Sequence, residues 1–490
     1  MMSPGHFTSA AVRGGVRWLL LAQGLCGCGS SRNGAAPDAR LDAATASRDA
    51  HTDAPKRAPV DASRGALPET GTSVAEGSVL DASSPQDASP SSDAARGFVH
   101  PGILVDRGQL DFVKAKIAAN TAPWITAFTT AKASSFASMT YVAHPVPQLA
   151  CGGHNTNDVG NGCVNGNSDA IAAYTQALLW YYTGEPVYAA NAIAILNAWS
   201  STLQSLNSDL TTYGNVPLVT AWLSEMFPRA AEILRYTNAG WAVADVQKFS
   251  AMLTGIFLPR IRAGWPYGAG NWELSMADGT ANIGVFTDDL ATFTTGVNLW
   301  KARVPAYFYL TSDGAFPIAP PGGQYPTDND ILALWQNEAA PTGSQVIVQR
   351  SVFRSGREEE TCRDFVHMAL GTASTVNLAE TARIQGTDLY TDEQSRITAA
   401  FELSATYLNE HAAGAMEDNT LCGIPMNAIL EDSPTWEIGY NEYVNRKGLS
   451  LPNSKVMIAR IRPTGADPSA FHQMAWETLT HAETGSAGIP

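Results

Sequence analysis

The segment Gly268–Glu273 combines residue types that proteins use to hold sugars. Glycine on both sides of Ala269 lets the backbone approach a ligand closely. Asn271 offers an amide donor and an amide acceptor, and Trp272 offers an aromatic face on which a sugar ring can stack. A helix N-terminus with an asparagine cap and a buried tryptophan would show the same pattern. We take Asn271 as a candidate catalytic residue, with Trp272 and Glu273 as candidate substrate-binding residues.

Two tyrosines near an arginine form a second candidate group. Tyr307 and Tyr309 are two residues apart and cannot share one face of a helix, so at most one points into a cavity. A phenol has a reference pKa of about 10 and acts as a base only where a cation such as Arg303 favours the phenolate. The alternative is a pair of core tyrosines. Tyr309 and Arg303 are candidate catalytic residues, and Tyr307 is a candidate substrate-binding residue.

Glu360, Arg363 and His367 form a third group. On a helix their spacing would place a carboxylate, a guanidinium and an imidazole on one face. A solvated salt-bridge face would have the same spacing. His367, however, stands where the sequence becomes apolar, which favours a half-buried ring. Arg363 and His367 are candidate catalytic residues, and Glu360 is a candidate substrate-binding residue.

A fourth group is the polar loop Cys151–Asp158, which contains His154. Its histidine, asparagines and aspartate can contact sugar hydroxyls, so His154 is a candidate substrate-binding residue. The spacing of Asn and Asp does not match a calcium loop of the EF-hand type. The alternative is a surface loop closed by a disulfide.

Helical patterns dominate the sequence that must position these groups. Apolar residues recur at intervals of three and four residues from Tyr188 to Leu203, and Pro186 stands where a first helical turn accepts it. The preceding segment 169–182 is also helical in pattern, so the two predict a helical hairpin. Segments 218–236 and 241–257 predict a second pair. Thr391, three residues before Gln394, predicts the capping box of a later helix.

Successive antiparallel helix pairs predict a mainly α fold, an α/α toroid or incomplete α/α barrel with few short β segments. Each hairpin can bury its apolar stripe only against neighbouring hairpins. The best strand candidate is Gln345–Val348. A helical solenoid is the alternative, although the sequence shows no fixed repeat period.

The N-terminal 97 residues differ from the rest of the chain. Arg13 and Arg17 precede a short apolar run that ends at Cys26 and Cys28, which predicts a lipoprotein-type signal peptide over residues 1–28 with a lipid on Cys28. An ordinary cleaved signal is the alternative. Residues 29–97 are rich in Asp, Ala, Ser and Pro, which predicts a disordered tether. We therefore expect an exported protein, anchored to the outer membrane and facing the periplasm or the cell surface, whose folded domain covers 98–490.

Composition excludes some classes of function. The 490 residues carry a formal net charge of −15, which argues against non-specific nucleic-acid binding because such binding depends on neutralising phosphates. Much of the acidity lies in the tether. Setting aside the two signal cysteines leaves four in an oxidising compartment, and we favour the pairs Cys151–Cys163 and Cys362–Cys422. A zinc site is the weaker alternative, since these cysteines lack metal-site spacing.

Several segments together resemble one known family. They are Phe98–Leu104 with Pro123–Trp124, Ala173–Tyr181, Asn271–Glu273, Glu360–His367 and Gln385–Tyr390. Over about residues 98–450 the chain is similar to the alginate lyase family of polysaccharide lyases, helical-toroid proteins that include glucuronan and mannuronan lyases. The resemblance implies an α/α toroid with a groove for an anionic polysaccharide.

The resemblance also implies β-elimination at a uronic acid unit. Asn271 would neutralise the substrate carboxylate, Arg363 or Arg303 would be a charge partner, and Tyr309 or His367 would be the base. Where alginate lyases carry an Asn-Asn-His run, this chain has Gly270-Asn271-Trp272, so His367 would supply the imidazole from another helix. We expect no metal or organic cofactor, a monomeric protein and no nucleic-acid partner.

Two other functions stay open at this stage. A glycoside hydrolase on an α/α barrel would use paired acids drawn from Glu273, Asp278, Asp289 and Glu360. A non-catalytic, lipid-anchored glycan-binding protein would use the same aromatic and polar residues without turnover.

Overall fold

The computed structural model describes residues 97–152, 162–210, 213–266, 268–336, 352–415, 420–423, 425–469 and 471–483. The long helices are α1 Arg107–Ala118, α2 Trp124–Ala133, α3 Cys163–Thr183, α4 Pro186–Thr202, α5 Val216–Tyr236, α6 Val243–Met252, α8 Gly270–Phe286, α9 Leu290–Tyr307, α10 Asp328–Gln336, α11 Phe365–Ile384, α13 Gln394–Ala412 and α15 Pro452–Ile461. Four short helices are α7 Leu258–Ile261, α12 Leu389–Asp392, α14 Glu437–Tyr440 and α16 Glu477–His481. The described part of the chain is thus mainly helical, as predicted.

Short irregular helices and one small sheet complete the described secondary structure. The 3₁₀ turns are Ser135–Ala137, Thr311–Asp313 and Met426–Ala428, and π-helical turns span Leu253–Phe257 and Asn441–Arg446. Strands β1 Gln148–Leu149 and β2 Ser205–Leu206 pair in parallel, with Gln148 opposite Ser205. The strand expected at 345–348 lies outside the described residues.

The helices close into a ring. Helix α3 packs on α5, α5 on α8, α8 on α11, α11 on α14, α14 on α16, and α16 on α1, which returns to α3. Outer helices cover the ring, with α4 on α3, α9 on α8 and α6 on α4. The α/α toroid is therefore confirmed, and α14, in the segment 435–441 near the C-terminus, is a member of the ring.

Inner and outer helices differ in burial as their positions require. Nearly every residue of α5 and α8 is buried, because each has a ring neighbour on both sides and an outer layer behind it. In the outer helix α9 the buried residues include Phe293, Val297, Trp300 and Val304, which recur at helical spacing. One apolar stripe suffices for a helix that faces the core on one side only.

Local sequence signals predicted several features correctly and one helix start incorrectly. Pro186 stands in the first turn of α4, and the two predicted disulfides, Cys151–Cys163 and Cys362–Cys422, are both present. The capping box assigned to Thr391 was wrong. Asp388 caps the short helix α12, where its carboxylate accepts a hydrogen bond from the Thr391 amide at 3.0 Å, and α13 begins only at Gln394.

Polar side chains line the inner faces of the ring in layers. In one layer Ser374 of α11 lies 3.0 Å from Ser275 of α8 and donates to Glu225 of α5 at 3.2 Å. Gln473, from the segment after α15, donates to the Ser374 hydroxyl at 3.2 Å. In a deeper layer Thr381 of α11 donates to Asn282 of α8. The two layers show that α8 and α11 run in the same direction. Arg235, near the end of α5, donates to the Phe286 carbonyl at the end of α8, so the N-terminal ends of α5, α8 and α11 meet at one end of the ring.

Candidate active site

The N-terminus of α8 is capped by two glutamates that are distant in sequence. Ala269, the residue before the helix, makes no side-chain cap. The Gly270 amide donates to Glu359 at 2.8 Å, and the Asn271 amide donates to Glu360 at 3.3 Å. Carboxylates are stabilising at a helix N-terminus, where amide donors lack helical partners. These bonds hold the segment before α11 against the start of α8.

Tyr307 fills the space behind this contact. A Cβ atom on Gly270 would lie 2.3 Å from the Tyr307 ring, and one on Gly371 would lie 2.3 Å from its hydroxyl, so both helices need glycine where the ring packs. The Tyr307 hydroxyl donates to Glu360 and to the Met368 carbonyl, each at 3.3 Å. Burial, and then the neighbouring glutamates, raise the pKa of this phenol well above its usual value. Tyr307 thus lies behind the helix starts, as a neutral donor.

Arg303 is also completely buried, and both of its terminal nitrogens meet acceptors. Its Nη2 lies 2.5 Å from Glu359 Oε2 and 3.3 Å from the Gly268 carbonyl, and its Nη1 lies 3.4 Å from Glu273. Arg303 therefore forms ion pairs with both Glu359 and Glu273 below the surface. The structure does not place Arg303 beside Tyr309.

Burial raises the pKa of the three consecutive glutamates, most clearly for the one that is not paired with an arginine. The pKa of Glu358 rises to about 8 because the carboxyl is desolvated and meets only the hydroxyls of Thr372 and Ser404. Burial raises the pKa of Glu359 to about 7 despite Arg303. For Glu360 burial also raises the pKa, opposed by Arg363 and His367. This layer therefore takes up protons near neutral pH.

Arg363 and His367 reach the surface just in front of these glutamates. Arg363 Nη1 lies 3.0 Å from Glu360 Oε1, and its side chain is 10% exposed. Asp364 caps α11 by accepting from the His367 amide at 2.8 Å, and its carboxylate lies 2.7 Å from the His367 ring Nδ1. The predicted group Glu360, Arg363 and His367 is brought together. Glu360 and Arg363 lie in turns before α11, which begins only at Phe365, and His367 lies in its first turn.

Asn271 lies on the other side of the same carboxylate. One Glu360 oxygen accepts from the Asn271 amide and the other accepts from Arg363. The Asn271 side chain is fully buried, and neither its oxygen nor its nitrogen has a hydrogen-bond partner among the described residues. An unpaired buried amide costs about 1–3 kcal/mol. Such a group is suited to pair with an incoming polar ligand.

The structure adds three residues that the sequence did not single out. His472 stacks on Trp222 of α5 with ring centroids 3.8 Å apart, and its Nδ1 lies 2.9 Å from the Asn167 amide of α3. No local spacing marks these residues, since Asn167 and His472 are 305 positions apart. We name as the N-terminal rim the six residues Asn167, Trp222, Asn271, Arg363, His367 and His472, which lie at or beside the N-terminal ends of α3, α5, α8 and α11.

Aromatic residues lie beside the start of α8. Trp272 is half-buried and packs against Trp265, with ring centroids 5.2 Å apart. The carboxylates of Glu359 and Glu273 raise the pKa of Tyr325, after the larger effect of burial, so this half-buried tyrosine lies near the Arg303 cluster. Among the predicted binding residues, Trp272 is thus partly accessible, whereas Glu273, Tyr307 and Glu360 are buried.

Tyr309 lies apart from this group. Tyr309 belongs to a separate cluster with Trp335, Ile331 and Leu334, and its hydroxyl donates to the Gly314 carbonyl at 2.6 Å. Burial raises the pKa of Tyr309, which does not favour a phenolate. His154 lies outside the described residues.

A cavity of about 270 Å³ opens next to the N-terminal rim rather than over it. Phe471, the neighbour of His472, forms part of its wall. The other lining residues are Asp432–Pro434, Ile461 and Pro463–Asp467. Among the described residues, no group of three or more His, Cys, Asp or Glu side chains could hold a metal ion. The described part also contains no helix long and apolar enough to cross a membrane.

Comparison with known proteins gives a family match and several structural likenesses. The family model described as alginate lyase matches residues 129–319, a span that includes α3 to α9 and Asn271 but not Arg363, His367 or His472. No curated protein matches the sequence. The crystal structure of alginate lyase A1-III from Sphingomonas species A1 is 14% identical with a TM-score of 0.47, over 78% of this chain and 97% of that one.

Two variants of alginate lyase A1-III, each complexed with a tetrasaccharide, are similar to the same degree. Both are 13% identical to this chain. One covers 78% of this chain and 97% of its own, with a TM-score of 0.46. The other covers 79% and 97%, with a TM-score of 0.47.

Proposed function

We propose that this chain is a polysaccharide lyase that cleaves a uronic-acid-containing polysaccharide by β-elimination, a proposal supported by the match of residues 129–319 to the alginate lyase family model. The substrate class is alginate, polymannuronate or glucuronan, and the products carry a 4,5-unsaturated uronate at the new end. The observation that carries the proposal is the buried, unpaired amide of Asn271 beside the pair formed by Arg363 and Glu360.

The chemistry explains why these residue types belong together. The proton on C5 of a uronic acid is weakly acidic, and its removal builds negative charge on the neighbouring carboxylate. Fixed donors that meet this charge lower the barrier. Asn271 provides an amide and Arg363 a guanidinium, and both are held by the same Glu360 carboxylate. We assign Asn271 and Arg363 to neutralising the substrate carboxylate.

The His367–Asp364 pair is suited to carry a proton. The Asp364 carboxylate at 2.7 Å fixes the Nδ1 edge of the ring. The interaction with His367 lowers the pKa of Asp364 despite burial. With 30% of its side chain exposed, His367 can reach a sugar, and we assign it to protonating the departing O4.

The helix ends favour an anionic substrate in spite of the acidic composition. The N-termini of α8 and α11 meet at the N-terminal rim, and the N-terminal end of a helix carries partial positive charge. Arg363, which is paired with Glu360, lies at the same rim. Screening limits the effect of distant charges on a ligand there, so the net charge of the whole chain does not exclude an anionic substrate.

The structure gives no support to paired hydrolytic acids. Asp278 lies 3.2 Å from Arg229, Glu273 and Glu360 are each paired with an arginine, and all three are buried. Asp289 caps α9. We therefore favour elimination over hydrolysis and over glycan binding without turnover.

The proposal includes the signal peptide, lipid anchor and tether predicted from the N-terminal sequence. We propose that residues 1–28 direct export, that a lipid on Cys28 anchors the protein, and that residues 29–97 form a tether. A radiolabelled fatty acid incorporated by the wild-type chain, and not by a Cys28→Ala variant, would support the anchor.

The first test follows unsaturated product by its near-ultraviolet absorbance. The full chain is incubated separately with alginate, polymannuronate, polyguluronate and glucuronan. We expect absorbance to rise with at least one polymer and Asn271→Ala to lower kcat about 10²–10³-fold, the usual cost of removing such a donor. Reducing ends that appear without unsaturation would indicate hydrolysis instead, and binding without turnover would indicate a glycan-binding protein.

The matched control is Asn282→Ala. Asn282 is equally buried on the same helix, but it lies three turns deeper and accepts a hydrogen bond from Thr381. We expect this variant to keep its kcat in the folded fraction. Equal losses of kcat in the two variants would contradict the role of Asn271. Tyr309→Phe separates the two candidate bases named from the sequence, and we expect it to change kcat little because Tyr309 lies outside the rim.

A further inference from the structure

His472 occupies a central place in the N-terminal rim. The segment around it crosses the end of the ring, where Asn167 of α3 and Trp222 of α5 contact the ring of His472. The next residue, Gln473, donates to the Leu370 carbonyl and to Ser374 of α11. His472 is therefore fixed by three inner helices.

His472 also lies on the same level as the residues assigned to the substrate carboxylate. Gln473 belongs to the layer of Ser275 and Ser374. Asn271 stands one turn before Ser275 on α8, and His367 stands two turns before Ser374 on α11. His367 contributes to lowering the pKa of His472, for which burial is the largest cause, so the two imidazoles lie within electrostatic range of each other.

The hydrogen bonds of His472 define which ring nitrogen carries the proton. Nδ1 lies 2.9 Å from the Pro468 carbonyl, and a carbonyl can only accept, so Nδ1 is the donor. A half-turn of the Asn167 amide presents its oxygen to the same hydrogen. In the neutral ring Nε2 then keeps its lone pair, and Nε2 makes no hydrogen bond to a described residue. The ring is thus prepared to accept a proton at Nε2.

The surroundings of His472 keep the ring neutral. Burial lowers its pKa to about 4, opposed by the Pro468 carbonyl and by Asp467. The residue that α3 presents is Asn167 and the residue that α5 presents is Trp222, both uncharged, while α11 contributes His367. Asp467, on the same segment as His472, is therefore the carboxylate acting on it from the described residues.

We infer that His472 is the base that removes the C5 proton through Nε2, an assignment that rests on the proposed elimination. Stacking on Trp222 and the hydrogen bond to Pro468 hold the ring, and the Asn167 amide positions it. His472 and His367 then have different roles in proton transfer. The imidazole without a hydrogen-bonded carboxylate accepts the proton, and the imidazole paired with Asp364 donates one.

The step balances without any further reactant. His472 Nε2 takes the proton from C5, and the electrons of that C–H bond form the C4–C5 double bond. The C4–O4 bond breaks and its electron pair stays on O4. His367 gives O4 a proton, which leaves the departing sugar as an alcohol. Transfer of the proton from His472 to solvent, and its return to His367, restores the enzyme.

The test compares two substitutions at His472 in the full chain. His472→Ala removes the ring, and His472→Asn keeps an amide donor for the Pro468 carbonyl but removes Nε2. We expect each variant to lose about 10²–10⁴-fold in kcat, the range of general-base catalysis, while the dissociation constant for the polysaccharide changes little. Added imidazole should restore part of the rate in His472→Ala, where the ring has left space, and less in His472→Asn.

The control is His411→Ala, because His411 is an exposed histidine at the end of α13 and is not part of the rim. We expect this variant to match the wild type. Circular dichroism verifies folding of each variant. The pH profile of kcat/KM gives a further readout, because the wild type should show an acidic limb near pH 4, the value for His472, and His472→Asn should lack it.

The outcomes separate the two proposals. A folded His472→Ala or His472→Asn variant with nearly wild-type kcat overturns the assignment of His472 and leaves elimination intact. A wild-type protein that forms no unsaturated product from any uronan overturns the proposed function, and the base assignment with it.

Discussion

Buried glutamates lie at both ends of α11, and their pKa values shift in opposite directions. At the C-terminal end Glu380 accepts from Arg383 at 2.9 Å and from Arg446 at 2.8 Å. These arginines hold the pKa of Glu380 well below its usual value although the carboxyl is desolvated. Before the N-terminal end, burial raises the pKa of Glu358 to about 8 and that of Glu359 to about 7.

The ratio of guanidinium to carboxylate groups explains the difference. Glu380 has two arginines, whereas Arg303 is shared by Glu359 and Glu273, and Glu358 meets only hydroxyl groups. Desolvation disfavours a charge unless enough opposite charge compensates it. The Glu380 cluster, formed by Glu380, Arg383 and Arg446, therefore stays ionised and stabilises the fold. The glutamates behind the candidate active site change charge in the pH range where an enzyme works.

The substitution Glu380→Gln should give the largest change in stability. It leaves Arg383 and Arg446 facing a neutral amide, and breaking a buried pair in this way costs about 3–5 kcal/mol. Denaturant unfolding at pH 7 measures the loss. Because the folded-state pKa of Glu380 is lowered, this contribution is present above the unfolded pKa and disappears as the pH falls through the folded value. The difference between variant and wild type should therefore shrink in acid.

An exposed pair provides the control for this variant. Glu185 lies 3.2 Å from Lys132, and both side chains are more than 40% exposed. Glu185→Gln should cost no more than about 1 kcal/mol. Similar losses in the free energy of unfolding for Glu380→Gln and Glu185→Gln would refute the view that the buried Glu380 cluster stabilises the fold.

Glu360→Gln should mainly affect catalysis. Glu360 holds the Asn271 amide with one oxygen and Arg363 with the other, and an amide can accept only through one of these two atoms. We expect kcat/KM on the best uronan to fall about 10²-fold, as when catalytic groups lose their alignment. Glu402→Gln is the control, because Glu402 accepts the first amides of α15, away from the rim. A Glu360→Gln enzyme as active as Glu402→Gln would show that Glu360 does not position the site.

Glu358→Gln should have the smallest effect, and one opposite in sign to Glu380→Gln. Since the folded-state pKa of Glu358 is raised to about 8, the folded protein binds the proton more tightly than the unfolded chain. Wild-type stability from this group is full below about pH 4.5 and declines as the pH rises towards 8. Glutamine removes that decline. We expect a gain of about 1–2 kcal/mol at pH 8 and little change at pH 5, measured as thermal unfolding at both values. A loss of stability at pH 8 would contradict the assignment.

Much of the helical architecture could be predicted, because its signals are local. Apolar spacing around Tyr188 and Trp199 and the position of Pro186 indicated α4 and its partner α3. Both disulfide pairs also followed from the cysteine pattern. The error at Thr391 shows the limit of such signals. A capping sequence is short, and Asp388 three residues earlier competes for the same helix start.

Candidate site residues were predictable by type but not by role. Asn271, Arg363 and His367 do come together at the N-terminal rim. Arg303, Tyr307 and Glu360 are instead buried in the layer that supports it, and Tyr309 belongs to a separate cluster. Residue type indicates what a side chain can do. Burial and partners, which depend on distant segments, determine what it does in the folded protein.

The sequence by itself determined the helical hairpins, the disulfides and the resemblance to a family, since each depends on spacing within short segments. Tertiary structure alone decided that Glu359 and Glu360 cap α8, 89 residues away, and that His472 meets Asn167 across 305 residues. The physical reason is ring closure. A helix relates residues three or four positions apart, whereas the toroid brings the ends of helices from the whole chain to one rim.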